Sequence, residues 1–329
     1  MKTRPDITWL FPFFCCGSQF RLLHQKTNNE NNKSNYLGSY LAGLIEGDGS
    51  IIVPKLHRNE KGKLLYPKVK ITFVEKDKPL ANKIKEILQS GTIECPRGTK
   101  YINYLIQDVS TLQMIAVLLN GKMRTPKIEA LHRLIDWLNN KNSKYLLDTH
   151  KIPKLGLNES SLNSDAWLSG FIEADGNFYC AFNLNSEGIA TQVKHYMRIS
   201  QKTTYGKNTV LPLEINSNFH IMDKIKEFLD VKNVVKTQRI KEKYVETSYE
   251  VRTSKKASCE ILINYLSIYP LFSSKHQDFL SWCNVHKIRV SKEYQTIKGT
   301  KKLISLKNGM NTLRTQFNWD SLNKFYNVQ

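Results

Sequence analysis

Nine residues near the start of the chain, Leu41-Ala42-Gly43-Leu44-Ile45-Glu46-Gly47-Asp48-Gly49, return 127 residues later as Leu168-Ser169-Gly170-Phe171-Ile172-Glu173-Ala174-Asp175-Gly176. Self-similarity at that spacing means two copies of one supersecondary unit, and two copies in a single chain imply a pseudo-two-fold axis. Leu41, Leu44 and Ile45, like Leu168, Phe171 and Ile172, recur at helical spacing and predict a helix whose apolar face enters the core of its own unit. Gly43 with Gly47, and Gly170 with Ala174, put small residues four apart, the pattern that lets two helix backbones come together. The repeated helices are therefore expected to dock on each other.

Downstream of each copy the patterns run in parallel. Two extended segments come first (50–55 and 68–74; 177–183 and 193–201), then an amphipathic helix (79–89; 220–229), two more extended segments (92–95 and 101–109; 234–240 and 247–253) and two closing helices. Each unit reads α-β-β-α-β-β-α-α, an α+β arrangement. The first repeat is placed at 36–150 and the second at 166–290, with residues 151–165, rich in Ser and Asn, as the linker. The polar residues 25–35 predict a flexible lead-in within an N-terminal extension, 1–35. Residues 291–329 form a C-terminal extension, in which 298–307 could add phosphate contacts and 319–326 could dock as a short helix.

Lysine and arginine number 49 against 29 aspartates and glutamates, a formal charge of +20 spread over both halves. Such a surface attracts polyanions, nucleic acid first among them. A membrane surface or an acidic protein would also suit the charge, but neither accounts for the duplication. The apolar stretch 7–16 is about half what a membrane-crossing helix needs, so no membrane role is expected. The six cysteines show no C-x-x-C pair and no paired His-x-x-x-His, which predicts reduced thiols rather than a zinc site or a disulfide framework. Heavy use of Asn, Lys, Ile and Tyr suggests an AT-rich, organellar genome.

Both nonapeptides resemble the motif that defines the LAGLIDADG homing endonucleases, and the order of elements is similar to that family's repeat over roughly residues 36–290. The resemblance is to the single-chain, two-motif, intron-encoded type. It implies two pseudo-symmetric repeats, each with a DNA-binding antiparallel sheet, packed through the motif helices. It further implies a monomer that cuts double-stranded DNA at a specific site, using Mg²⁺ or Mn²⁺, leaves staggered 3′ overhangs and promotes mobility of its host intron. A mitochondrial setting is expected, with the chloroplast as alternative. An RNA-splicing maturase, with host intron RNA as partner, is the alternative function, alone or in addition; a DNA-binding regulator without catalysis is another. Both motif aspartates are intact, which argues against loss of cleavage.

Asp48 and Asp175 fall at the C-terminal ends of the motif helices, where the macrodipole disfavours a carboxylate by ~0.3–1 kcal/mol. Two such groups brought together call for a compensating cation, and hard divalent ions prefer oxygen ligands. The family supplies its metal ligands from these positions, here Asp48 and Asp175, and the carbonyls of Gly47 and Ala174 are expected to join them. Glu46 and Glu173 read as surface or salt-bridge carboxylates. By position, Lys127 and Lys275 look like the family's basic pair, able to polarise water or offset phosphate charge. Gln201 resembles the strand-end glutamine, and Glu75 is taken as its counterpart in the first repeat. Base reading falls to the strands, because the major groove admits a β-ribbon. Lys68 and Lys70, Lys194, Tyr196 and Arg198, Lys236 and Gln238, and Arg252 are the candidates.

Overall fold

In the computed structural model, helix α1 (Asn28–Asp48) runs straight into strand β1 (Gly49–Ile52). Residues 28–56, 58–140, 150–206, 216–242 and 244–326 are described. The helix begins inside the segment expected to be a flexible lead-in, so that expectation does not hold for 28–35. No Gly or Pro interrupts those residues, and adding turns to an existing helix costs little once the nucleus is formed. The rest of the expected lead-in, 25–27, and the apolar stretch 7–16 lie outside the described residues.

The first unit continues through β2 (Lys68–Val74), α2 (Lys78–Leu88), β3 (Thr92–Glu94), β4 (Tyr101–Ile106), α3 (Val109–Leu119) and α4 (Ile128–Asn139). The second repeats the order as α5 (Trp167–Asp175), β5 (Gly176–Leu184), β6 (Ala190–Lys202), α6 (Phe219–Phe228), β7 (Val235–Lys241), β8 (Tyr244–Thr253), α7 (Lys256–Ile268) and α8 (Ser274–Val290). The sheets are ordered β1-β2-β4-β3 and β5-β6-β8-β7, and all their pairings are antiparallel. Identical strand order in both halves is the pseudo-two-fold symmetry that the duplication predicted.

Strand alternation sets which way each sheet faces. Along β2, Val69, Ile71 and Phe73 are buried while Lys68, Lys70 and Thr72 are half-buried; along β6, Val193, His195, Met197 and Ile199 are buried while Lys194, Tyr196, Arg198 and Ser200 are not. One face of each sheet therefore packs on helices, and the other is left polar and basic.

The axis runs between α1 and α5. A methyl group at Gly43 would sit 2.0 Å from the Trp167 carbonyl oxygen and 2.7 Å from the Phe171 amide nitrogen. At Gly170 it would sit 2.0 Å from the Tyr40 carbonyl oxygen. Backbone cannot yield as a side-chain tip can, so only glycine permits this crossing.

The segments outside the repeats are tied down as well. Arg124 reaches into the linker, donating to the carbonyls of Asn158 (3.1 Å) and Ser160 (2.5 Å) and pairing with Asp165 (3.0 Å). Helix α9 (Ile297–Asn308) covers the edge of the second sheet, where Thr300 Oγ1 accepts from the Ala190 amide at 2.9 Å. Lys307 lies over the Phe182 ring (5.1 Å). The tail folds as a 3₁₀ turn (Asp320–Lys324), after which Phe325 packs edge-on against Tyr40 (5.5 Å) and Phe272 (4.7 Å). No helix among the described residues is long and apolar enough to cross a membrane.

Gly43→Ala should lower unfolding free energy by about 1–3 kcal/mol, the range for forcing extra volume into a packed contact. Gly156→Ala, with nothing within 4 Å of the added methyl, should stay within about 0.5 kcal/mol of the parent. Urea titrations giving equal midpoints for the two variants would mean that the helices are not in backbone contact.

Candidate active site

Glu46 and Glu173 are 4% and 6% exposed, which overturns their reading as surface carboxylates. Glu46 accepts hydrogen bonds from the amides of Arg124 (2.9 Å) and Thr125 (2.6 Å), from Thr125 Oγ1 (2.6 Å) and, across the axis, from Trp167 Nε1 (2.5 Å). Glu173 repeats the pattern with the amides of Phe272 and Ser273, with Ser273 Oγ and, across the axis, with Tyr40 Oη (3.2 Å). Tyr40 and Trp167 occupy the same place in the two motif helices. Each glutamate thus ties its helix to the turn before its own closing helix and to the opposite repeat. Burial raises Glu46 to about 7 against the lowering pull of these donors.

Lys127 and Lys275 start from those same turns and reach the ends of the motif helices. Lys127 Nζ donates to the carbonyls of Ile45 (2.9 Å), Glu46 (2.6 Å) and Gly49 (2.9 Å), with Gly47 at 3.4 Å; Lys275 Nζ donates to those of Ile172 (3.2 Å), Glu173 (2.6 Å) and Ala174 (2.8 Å). The last carbonyls of a helix have no internal partner and carry its negative pole, so an ammonium there is favoured twice over. Burial lowers both lysines, and the nearby carboxylates work against it. The carbonyls of Gly47 and Ala174, expected to face a metal, are in this structure lysine acceptors.

Asp48 and Asp175 follow directly. Burial raises Asp175 to about 7, and the charge of Asp48 adds to the rise, while Lys275, Lys127 and an amide hydrogen bond from Gln201 Nε2 (2.5 Å) pull it down. Burial raises Asp48 too, against the same two lysines. A methyl group at Gly47 would come within 2.7 Å of Asp175 Oδ2, so the carboxylate of one repeat lies against the helix of the other. Both aspartates line the floor of a cleft of about 1080 Å³, along with Lys127, Gln201, Arg198 and Thr72.

Strand register corrects one assignment. Gly49 pairs with Ile71 and Gly176 with Ile199, so the counterpart of Gln201 is Phe73, not Glu75. Phe73 is buried in the core, and Glu75 stands exposed in the 3₁₀ turn after β2, its amide bonded to the Lys100 carbonyl. The flanks Val74-Glu75-Lys76 and Ser200-Gln201-Lys202 are similar, but matching them introduces a two-residue offset from the true row.

A family model described as LAGLIDADG endonuclease matches residues 41–138 and again 168–286, one match per repeat. The chain belongs to the LAGLIDADG endonuclease family. It is 31% identical to the intron-encoded DNA endonuclease aI3 of Saccharomyces cerevisiae, over 94% of this chain and 80% of that protein. It is 24% identical to a probable intron-encoded endonuclease 4 of Neurospora crassa, over 85% of this chain and 45% of the relative. The fold is similar to that of I-SmaMI bound to an uncleaved DNA target in the presence of calcium ions (TM-score 0.58, 20% identity, 83% of this chain and 98% of that one). I-LtrWI bound to target DNA is similar to the same degree (TM-score 0.58, 19% identity, 86% and 100%).

The sheets of this LAGLIDADG protein carry the candidate base-reading residues in definite rows. Lys68 and Lys70 share the outer face of β2 with Thr72, which donates to Asn103 Oδ1 at 3.0 Å. Arg198 pairs directly with Arg252, and both meet the buried Glu250 (3.6 and 2.5 Å). Arg252 also stacks over Tyr196 (4.3 Å), which stacks on Tyr179 (4.6 Å). Lys194 is exposed in the same row. Lys236 stands elsewhere: it pairs with Tyr249, whose ring packs against Phe219 on the helix side. Gln238, midway along the strand, shares the row of Lys236 but lines the cleft. Thr237 and Arg239, in the opposite row of β7, line the cleft, and sequence patterning does not single them out. The edge strand β7 is exposed along almost its whole length, so its sequence has no apolar row to mark the inner face.

Glu46→Gln should cost about 3 kcal/mol, because an amide would turn N–H toward N–H at a buried site. A thermal unfolding midpoint equal to the parent's would show that this carboxylate does not brace the helix pair.

Proposed function

We propose that this LAGLIDADG protein cuts double-stranded DNA at a specific site, hydrolysing one phosphodiester in each strand to leave 3′ overhangs and so promoting mobility of its host intron. The observation that carries the proposal is the pair of mutually repelling carboxylates, Asp48 and the half-buried Asp175, that line one cleft between two basic antiparallel sheets. The donor set suits a hard divalent cation such as Mg²⁺ or Mn²⁺: the oxygens are carboxylates, and the ammoniums of Lys127 and Lys275 beside them are already engaged with helix carbonyls. Such a cation, when bound, would activate water and stabilise the leaving oxygen.

The chain's own residues do the rest. Lys127 and Lys275 hold the helix ends that present the aspartates and offset the charge gathered there. Gln201 orients Asp175. Arg198, Arg252 and Tyr196, already arrayed by their mutual contacts, with Lys68, Lys70 and Lys194, would meet base edges or phosphates in the groove. Both half-sites lie in one chain, which supports a monomer. The fungal, intron-encoded relatives support a mitochondrial setting; nothing favours the chloroplast. A second reading, assistance to splicing of the host intron RNA, is favoured by a 31% identical match over 143 residues, 43% of this chain and 19% of the relative, to the intron-encoded RNA maturase bI4 of Saccharomyces cerevisiae.

Incubation of intron-free organellar DNA with the protein and Mg²⁺, followed by sequencing of the ends, should give one staggered cut. Asp48→Asn and Asp175→Asn should each bind the same DNA without cutting it, and each should be at least as stable as the parent, since one of two repelling charges is gone. Cleavage that persists in both variants would remove the aspartates from the chemistry. Tight intron-RNA binding without any cut by the folded parent would leave the splicing role alone.

The raised Asp175 carboxyl also fixes a pH dependence. Its ionised form, which a cation requires, is lost as pH falls through about 7. Cleavage at limiting Mg²⁺ should therefore rise with pH through that region, and saturating Mg²⁺, competing with the proton, should move the midpoint to lower pH. A profile whose midpoint ignores Mg²⁺ concentration would show that proton and cation do not share this group.

A further inference from the structure

Behind the second sheet, three potential ligands converge from three elements: His195 on β6, Cys259 on α7 and His286 on α8. Their exposures are 2%, 0% and 5%. One ligand atom from each lies within 4.8 Å of the other two, and Cys259 Sγ is 3.9 Å from His195 Nδ1. Cysteine spacing predicted no zinc site, because the usual signal is a pair of ligands close in sequence, and these three are not.

The histidine geometry is that of a ligand. His195 Nε2 faces the Trp282 carbonyl oxygen at 3.2 Å. A carbonyl only accepts, so Nε2 carries the hydrogen and Nδ1 presents its lone pair toward Cys259. Metal-bound histidines are characteristically held this way, with the far nitrogen donating to a carbonyl. His195 stacks on Trp282 (4.1 Å), and the His286 ring lies beside both, 5.3 Å from His195 and 6.2 Å from Trp282. His286 Nδ1 is buried without a hydrogen-bond partner. A packing role explains the first two groups, since Cys259 Sγ can donate to the Thr253 carbonyl at 3.7 Å, but it leaves that nitrogen unpaired at a cost a leucine would avoid. The position equivalent to His195 in the first repeat is Pro67, by the register that pairs Gly49 with Ile71 and Gly176 with Ile199. The shared fold therefore does not itself call for a histidine here.

We propose that His195, Cys259 and His286 form a site for a zinc-class divalent cation, bound by two imidazole nitrogens and one thiolate, with the fourth position left to water. Tetrahedral zinc at ordinary bond lengths separates such ligand atoms by about 3.3–3.6 Å, so the cluster must close by roughly 1 Å, within reach of side-chain rotation. Burial disfavours the charged forms of His195, His286 and Cys259 alike. On binding, the thiol proton leaves to solvent as the sulfur–metal bond forms.

The test uses the full chain carrying Asp48→Asn and Asp175→Asn, which removes the cleft carboxylates as competing ligands, stripped with chelator and titrated with Co²⁺ and then Zn²⁺. The expected result is a single thiolate-to-cobalt absorption band that equimolar Zn²⁺ displaces, that Cys259→Ser abolishes and that His286→Gln weakens by more than about tenfold in Co²⁺ affinity. Absence of a thiolate band in the folded parent overturns the proposal. A band that survives Cys259→Ser, or, should that variant not fold, one that His286→Gln leaves unchanged, assigns the metal to another thiol and overturns it equally.

Discussion

The crossing of α1 and α5 at Gly43 and Gly170 is the contact on which the rest depends. With 2.0 Å between an added methyl and the facing carbonyl, no side chain fits between the helices. Backbone proximity brings the helix C-termini together, and with them Asp48 and Asp175. Two negative helix poles and two carboxylates in one place would repel if nothing else were there. Lys127 and Lys275 answer the poles by donating to the terminal carbonyls and offset part of the carboxylate charge, but burial and the charge of Asp48 still hold Asp175 raised. The site's appetite for a cation is in this sense a consequence of the packing.

The glutamates convert that contact into a rigid joint. Each of Glu46 and Glu173 accepts from its own repeat's turn and from the opposite repeat's aromatic donor, so rotation of one repeat about the axis would break hydrogen bonds on both sides at once. Asp77 of the first repeat adds a further tie by accepting from the Ser274 amide at the start of α8 (2.8 Å). Because the lysines leave the same turns, the glutamates also fix where the ammoniums sit. Cleavage chemistry tolerates little misplacement of its charged groups, and a scaffold braced across the axis meets that demand more directly than one held by apolar packing alone.

Much of this is legible in the sequence. The duplicated nonapeptide carries the helix pair, its close approach and the two aspartates, and period-two and helical patterns place the sheets and helices to within a few residues. Legibility ends where sequence lacks the needed contrast. Residues 28–35 are polar and read as disorder, yet they extend a helix whose nucleus lies downstream. Glu46 reads as solvated because its partners, Thr125 and Trp167, are 79 and 121 residues away. Lys236 falls in the wrong row because β7 is exposed on both sides. Glu75 matches Gln201 by local resemblance, while the pairing of Gly49 with Ile71 places Phe73 there.

That last difference says how far the halves have been free to diverge. In a symmetric dimer any change at one half-site is imposed on the other, whereas a single chain can alter them separately. The groups on the axis, the glycines, glutamates, lysines and aspartates, match in pairs because each member depends on its opposite number. One step off the axis the matching ends: an amide donor stands over Asp175, and an apolar ring that can donate nothing fills the equivalent place in the first repeat. The two carboxylates thus sit in unequal fields, although they occupy the same motif position. Symmetry in this protein is retained where packing enforces it and lost where only local chemistry would.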